Sequence, residues 1–128
     1  MDTLTHEHFS QWLESYGRAS VENDPSASAS LFTQDARYFE SPFDDPIEGR
    51  DAIYTYWLRG AQSLKDKETA FDILAITGRL GIARWKASFT TIDSSKRIAL
   101  DCLFVAEFSE DGLCETFREW WHAVPAFV

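Results

Sequence analysis

The chain has 128 residues, 15% of them aromatic, and a formal net charge of −9; it is long enough to bury one proper core and too rich in large rings to be a disordered segment. A charge of this sign disfavours nucleic acid, which wants a basic face to displace counterions, and an anionic membrane surface. No apolar run approaches bilayer length. The opening "MDTLTHEHFSQW" shows no secretory signal, and Cys102 and Cys114 lack C-x-x-C spacing, so a cytoplasmic location with two free thiols is expected.

Helical spacing comes first. Phe9, Trp12, Leu13, Tyr16 and Ala19 make a single apolar stripe. Asp24-Pro25 reads as an N-cap followed by proline at the first helical position, beginning a short second helix through Leu31 and Phe32. "ARYFESP" is a brief strand stopped by Pro42, and "FDDPIEG" is loop-like. Gly49 precedes a third helix, "RDAIYTYWLRGAQSL", with Ile53, Tyr56, Trp57 and Leu64 roughly on one side. From Thr69 onward the rhythm is that of strands: "TAFDILAIT", "GIARWKASFTTI", "RIALDCLFVAEF" and "LCETFREWWHAV", separated by turn signals at Gly78, "DSSK" and "EDG". Helices followed by a long antiparallel meander make an α+β arrangement, expected as a single domain over residues 1–128.

Hairpin geometry assigns the faces. Closing "DSSK" around Ser94 and Ser95 sets Ala87 opposite Cys102, Trp85 opposite Phe104 and Phe89 opposite Leu100. Closing "SEDG" sets Cys102 beside Glu119, Phe104 beside Phe117 and Leu100 beside Trp121. One face is then apolar apart from Glu119, which sits in a row with the small residues Ala87 and Cys102 and faces the space they leave. The other face carries Lys86-Leu103-Arg118, Ser88-Asp101-Trp120 and Thr90-Ala99-His122. By this register Cys102 and Cys114 face opposite sides. A carboxyl among rings is costly unless paired, and burial raises its pKa. Either Arg59 or a tyrosine hydroxyl satisfies Glu119 structurally, or the acid addresses a ligand.

Order and residues together resemble the nuclear transport factor 2-like superfamily. "LFTQDARYFESPFDDPIEGRDAIYTYW" looks like the central stretch of SnoaL-like proteins, and "EWWH" after a "DG" hairpin resembles the closing strand of a bacterial branch of that group. The resemblance implies a cone-shaped curved antiparallel sheet with three helices, all in the N-terminal half, enclosing a pocket. It does not choose among the isomerases, dehydratases, cyclases, epoxide hydrolases and binding modules built on that scaffold. It places Tyr16 where ketosteroid isomerases keep an oxyanion-stabilising tyrosine, and Glu40 near their proton-abstracting acid, although one extra residue shifts the register. Phe104 stands where those enzymes carry a second acid, no Asp-Arg-Asp set of the epoxide hydrolase kind lies on the inward face, and His122 points outward.

The candidate catalytic residues are therefore Glu119, Glu40 and Tyr16, with Tyr38, Trp57, Trp85, Cys102, Phe104, Phe117 and Trp121 as candidate ligand contacts. Each ring would equally serve as core. His6 and His8 are two apart in a helix start and His122 has no partner at ligand spacing, so no metal is expected, and no cofactor motif appears. Two functions remain open. One is acid-base catalysis of the isomerase, cyclase or lyase type on a small, mostly apolar or aromatic metabolite; the other is a non-catalytic ligand-binding or dimerisation module. Leu103, Val105 and Trp120 on the outer face predict a homodimer, the mode common in the superfamily, with Lys86, Asp101 and Arg118 in rim charge pairs.

Overall fold

A computed structural model describes residues 1–126; the last two positions of the expected domain lie outside the described residues. The first helix, α1 (His6–Val21), starts at Thr5, whose hydroxyl accepts from the His8 amide at 3.1 Å. Its stripe of Phe9, Trp12, Leu13, Tyr16 and Ala19 is buried. Two glycines let it press on the sheet: a Cβ at Gly81 would lie 2.5 Å from the Phe9 ring, and one at Gly17 would lie 2.8 Å from Thr69 Oγ1.

The second helix, α2 (Pro25–Ala29), has Asp24 as N-cap, accepting from the Ala27 amide at 3.0 Å. It is shorter than the sequence suggests. Phe32 opens strand β1 (Phe32–Phe39) because the backbone there is claimed by a neighbour, the Cys114 amide donating to Leu31 O at 3.0 Å. The "FDDPIEG" segment is not wholly loop, since β2 (Ile47–Glu48) pairs antiparallel with β1. Helix α3 (Arg50–Ser63) follows from Gly49, whose φ of 89° suits a glycine. Arg50 ties it to β1 by donating Nε and Nη2 to Phe32 O at 3.0 and 2.6 Å.

The chain then runs straight into β3 (Leu64–Thr77), five residues before the expected start at Thr69. The charged run "LKDKE" hides the strand because Asp66, at φ 51°, breaks its alternation. Strands β4 (Leu80–Thr91), β5 (Arg97–Phe108) and β6 (Cys114–Pro125) complete a curved, unclosed sheet of order β2-β1-β6-β5-β4-β3. All its pairs are antiparallel except β1–β6, which is parallel.

Both long hairpins keep the predicted faces but differ from the predicted rows by two residues. The β4–β5 loop spans five residues, with Thr91 accepting at its carbonyl from Ser95 and donating its amide to Lys96 O, so Trp85 pairs with Cys102 and Ala87 with Leu100. The β5–β6 loop closes with the Ser109 amide on Leu113 O, and a bulge follows. Cys102 therefore pairs with Trp121, and Phe104 with Glu119. A shift of two preserves the side on which every residue lies, because side chains alternate with a period of two. The bulge reverses that alternation for Cys114 alone. It turns into the core with Phe108, correcting the expectation that the two thiols face opposite sides; both are buried and free. Between the inner sheet face and α1 lies a core of rings, among them Trp12, Phe32, Phe104, Phe108 and Phe117.

Candidate active site

Glu119 lies on β6 in the row Ala83–Phe104–Glu119, not in the expected row with Ala87 and Cys102. The space beside it does not come from its own row, since Phe104 stands next to it and Ala83 is fully buried away from the cavity; the small residues that line the cavity, Ala87 and Cys102, lie in the rows beyond. The next β6 residue on the same side is Phe117, fully buried and paired in register with Tyr38 of β1. That parallel register brings the Tyr38 hydroxyl to Glu119, donating to Oε1 at 3.1 Å. On the far side of Tyr38, Tyr16 of α1 reaches its hydroxyl oxygen at 3.1 Å. Three elements thus converge on a Tyr16–Tyr38–Glu119 chain. Phe117 supports it from below, its ring 4.9 Å from that of Tyr38 and 5.6 Å from that of Tyr16.

Burial pushes the Glu119 carboxyl from its ordinary 4.5 up to about 7; the Tyr38 hydrogen bond opposes the rise, and the charge of Glu40 adds to it. Tyr16 and Tyr38 are raised by burial and then by the Glu119 charge. Tyr56, on α3, is raised by burial and then by Glu119 and Glu40. Among the described residues no cation lies within salt-bridge reach of Glu119. Arg59 lines the same cavity without pairing to it, so the hydroxyl, not the guanidinium, satisfies the acid.

These groups line a cavity of about 560 Å³, within the usual size of a small-molecule site. Of the residues singled out from sequence, Glu119, Glu40, Tyr16, Tyr38, Trp57, Trp85, Cys102 and Phe104 line it. Glu40 lies just past the end of β1 and is exposed, at the rim rather than the floor. Phe117 is core beneath the cavity, not a wall of it. Trp121 is a correction. It is 48% exposed and lines no part of the cavity, because β1 pairs with β6 only as far as Phe39 opposite Arg118 and leaves the rest of β6 uncovered on that side. Sequence reasoning missed Tyr56 and Lys67 as cavity residues. Tyr56 was already visible on the α3 stripe, whereas Lys67 was hidden in the unrecognised first part of β3.

Cys102 is no nucleophile in waiting, since burial and the Glu119 charge raise its thiol to about 12. Among the described residues no group of three His, Cys, Asp or Glu side chains could hold a metal ion. On the outer face Asp101 is held within the chain by Arg84. Arg84 donates Nε to Asp101 Oδ1 at 3.0 Å and Nη2 to Oδ2, and the Arg118 guanidinium lies 4.1 Å over the Phe39 ring. Leu103 and Trp120 are neighbours on that face, 38% and 43% exposed. Among the described residues no helix is long and apolar enough to cross a membrane.

Comparison with known proteins agrees with this architecture. Residues 11–124 match the SnoaL-like domain. Among solved structures, the epoxide hydrolase/cyclase-like enzyme SalBIII, described for its role in pyran ring formation in the polyether salinomycin, superposes with a TM-score of 0.80 at 20% identity, over 94% of this chain and 97% of that one. A putative isomerase from Bacillus subtilis superposes with a TM-score of 0.79 at 20% identity, over 91% of this chain and 87% of that one. No curated protein matches the sequence. At such identities the two structures speak for the fold alone.

Proposed function

The chain belongs to the SnoaL-like domain family, and on that footing we propose that its cavity binds a small, mostly apolar organic molecule and moves a proton on it, with Glu119 as the acid-base group. The observation that carries this reading is a carboxyl facing a cavity with a hydroxyl for a partner and, among the described residues, no cation within salt-bridge reach. A permanent salt bridge would hold the acid ionised and occupied. A hydrogen bond from Tyr38 leaves Glu119 Oε2 free to take a proton, and a midpoint of about 7 lets both forms exist near neutrality.

The tyrosines complete the device. With Glu119 ionised, Tyr38 donates to it and Tyr16 donates to Tyr38. A proton taken at Oε2 leaves Oε1 a carbonyl oxygen that still accepts from Tyr38, so the tyrosine chain keeps Glu119 in place in both of its forms. Burial keeps both hydroxyls protonated, so they act as donors and not as bases. Glu40 at the rim raises the Glu119 midpoint and is a second proton carrier. Trp57, Trp85 and Phe104 offer flat apolar walls.

The test uses 5-nitrobenzisoxazole, a flat neutral aromatic whose ring proton is removed by carboxylates in apolar surroundings and whose phenolate product is coloured. Elimination should rise with pH through the Glu119 midpoint and fall by roughly a hundredfold or more in Glu119→Gln, the range usual for loss of a general base. An equal rate in the variant would return the cavity to the alternative of a non-catalytic binding module.

The outer face supports a second proposal: two copies pair through it, back to back, in a reducing cytoplasmic setting that suits two buried free thiols. Leu103, Trp120 and Val124 expose apolar surface on a sheet otherwise carrying charge, and the Arg84–Asp101 pair fits a polar rim. Sedimentation should show a dimer that Trp120→Glu converts to monomer; a monomer for the parent chain at high concentration refutes it.

A further inference from the structure

The cavity holds two cations as well as two acids. Arg59 and Lys67 both line it, and among the described residues neither has a carboxylate within salt-bridge reach. Lys67 is the half-buried member of the pair, and Arg59 is exposed.

Lys67 is there by construction. In β3 the inward positions after the bulge are Lys67, Thr69, Phe71 and Ile73, and the inward position before it is Leu64. An uninterrupted strand would keep Leu64 and Lys67 on opposite sides. Asp66, among the described residues the one strand position with positive φ that is not glycine, inserts the extra step that brings Lys67 inside. Arg97 pins that step. Its Nη1 donates to Asp66 O and to Thr90 Oγ1 at 3.2 Å, and its Nη2 donates to Ser88 Oγ at 2.8 Å. Burial lowers the Lys67 pKa from its ordinary value, as expected for an ammonium without a counter-charge. The indole Nε1 of Trp57, another lining residue, is also buried, with no acceptor among the described residues.

Glu119 and Lys67 occupy different parts of the cavity. Glu119 shares its row with Ala83 of β4, whereas Lys67 precedes the pair Glu68–Ser88 and so stands level with Phe89. The two rows are six residues apart along β4, about 20 Å of strand before the side chains reach in. A ligand anchored by charge at the Lys67 end would therefore present its uncharged end to Tyr38 and Glu119. The reverse orientation would set like charges together at the floor.

We propose that the ligand is an organic acid: a flat apolar body with one carboxylate, the carboxylate taken by Lys67 and Arg59. The fork of a guanidinium fits the two oxygens of a carboxylate, and Lys67 supplies a point charge beside it. This rests on the cavity being a ligand site, and the test separates the two claims. Calorimetric titration of the intact protein with 2-naphthoate and with 2-naphthalenemethanol compares one ring system with and without the charge. 2-Naphthoate should bind about tenfold tighter or better at low salt, as expected for charge-assisted hydrogen bonds. Lys67→Met with Arg59→Met should abolish that preference and leave the alcohol's affinity within about twofold, since no charge is involved in its binding. Equal binding of the two probes, or a preference that survives the double substitution, overturns the anion site while the cavity reading stands. Failure of both probes to bind overturns both. If Lys67→Met changes neither affinity but makes the chain self-associate, the lysine is a guard of the β3 edge and the proposal is wrong.

Discussion

Replacing Glu119 by Gln should make the protein more resistant to unfolding at pH 8 than the parent, by an amount that vanishes at low pH. Glutamine keeps an oxygen for the Tyr38 hydroxyl but cannot ionise. In the folded parent the carboxyl titrates near 7, and in the unfolded chain near its ordinary 4.5. Between those values the folded state holds a proton that the unfolded state has released, so stability falls as pH rises. The effect is absent below 4.5 and complete above 7. A gap of about two and a half pH units corresponds to roughly 3 kcal/mol, and water entering the cavity trims it to about 2–3 kcal/mol. Urea unfolding of both proteins at half-unit steps from pH 4 to pH 8 reads this directly, because every other titrating group cancels in the difference. A difference that stays flat across the range, or that favours the parent as pH rises, would show that Glu119 is not held in a charge-averse environment.

Tyr38→Phe removes the hydrogen bond that favours ionised Glu119, so the Glu119 midpoint should climb further; a charge-assisted bond of about 1.5–3 kcal/mol predicts one to two pH units, visible as an upward move of the elimination pH profile. Gly81→Ala should destabilise the fold by about 1–3 kcal/mol in denaturant titration, since the new methyl meets a Phe9 ring that is fully buried and held edge-on by Phe108. A neutral or stabilising result would mean that α1 can lift from the sheet.

The faces of the sheet were legible in the sequence because alternation is a local property: Glu119 and Phe104 turn inward and Asp101 outward whichever row they occupy. The rows were not legible, because each depends on loop length and on a bulge that no residue type announces. The two errors of two residues left the site intact by parity, and the single-residue bulge beside Cys114 shows what an odd shift does. Trp121 obeyed the alternation and still missed the cavity, since cover is supplied by elements distant in the chain, here the short pairing of β1 with β6. Lys67 was lost for the opposite reason. A charged sequence with an internal bulge carries no strand rhythm, although that irregularity is what makes it a cavity residue. The partner of Glu119 was legible only as a set of alternatives, which the parallel register of Tyr38 beside Phe117 resolves.

The proposed proton transfer turns on the state of one carboxyl. With glutamate labelled at its side-chain carboxyl carbon and Glu119→Gln used to assign the missing signal, a carbon NMR titration should give Glu119 a midpoint of about 7, well separated from the solvated glutamates. A midpoint near 4.5 would contradict it, placing the acid in water and leaving the cavity without its proton carrier.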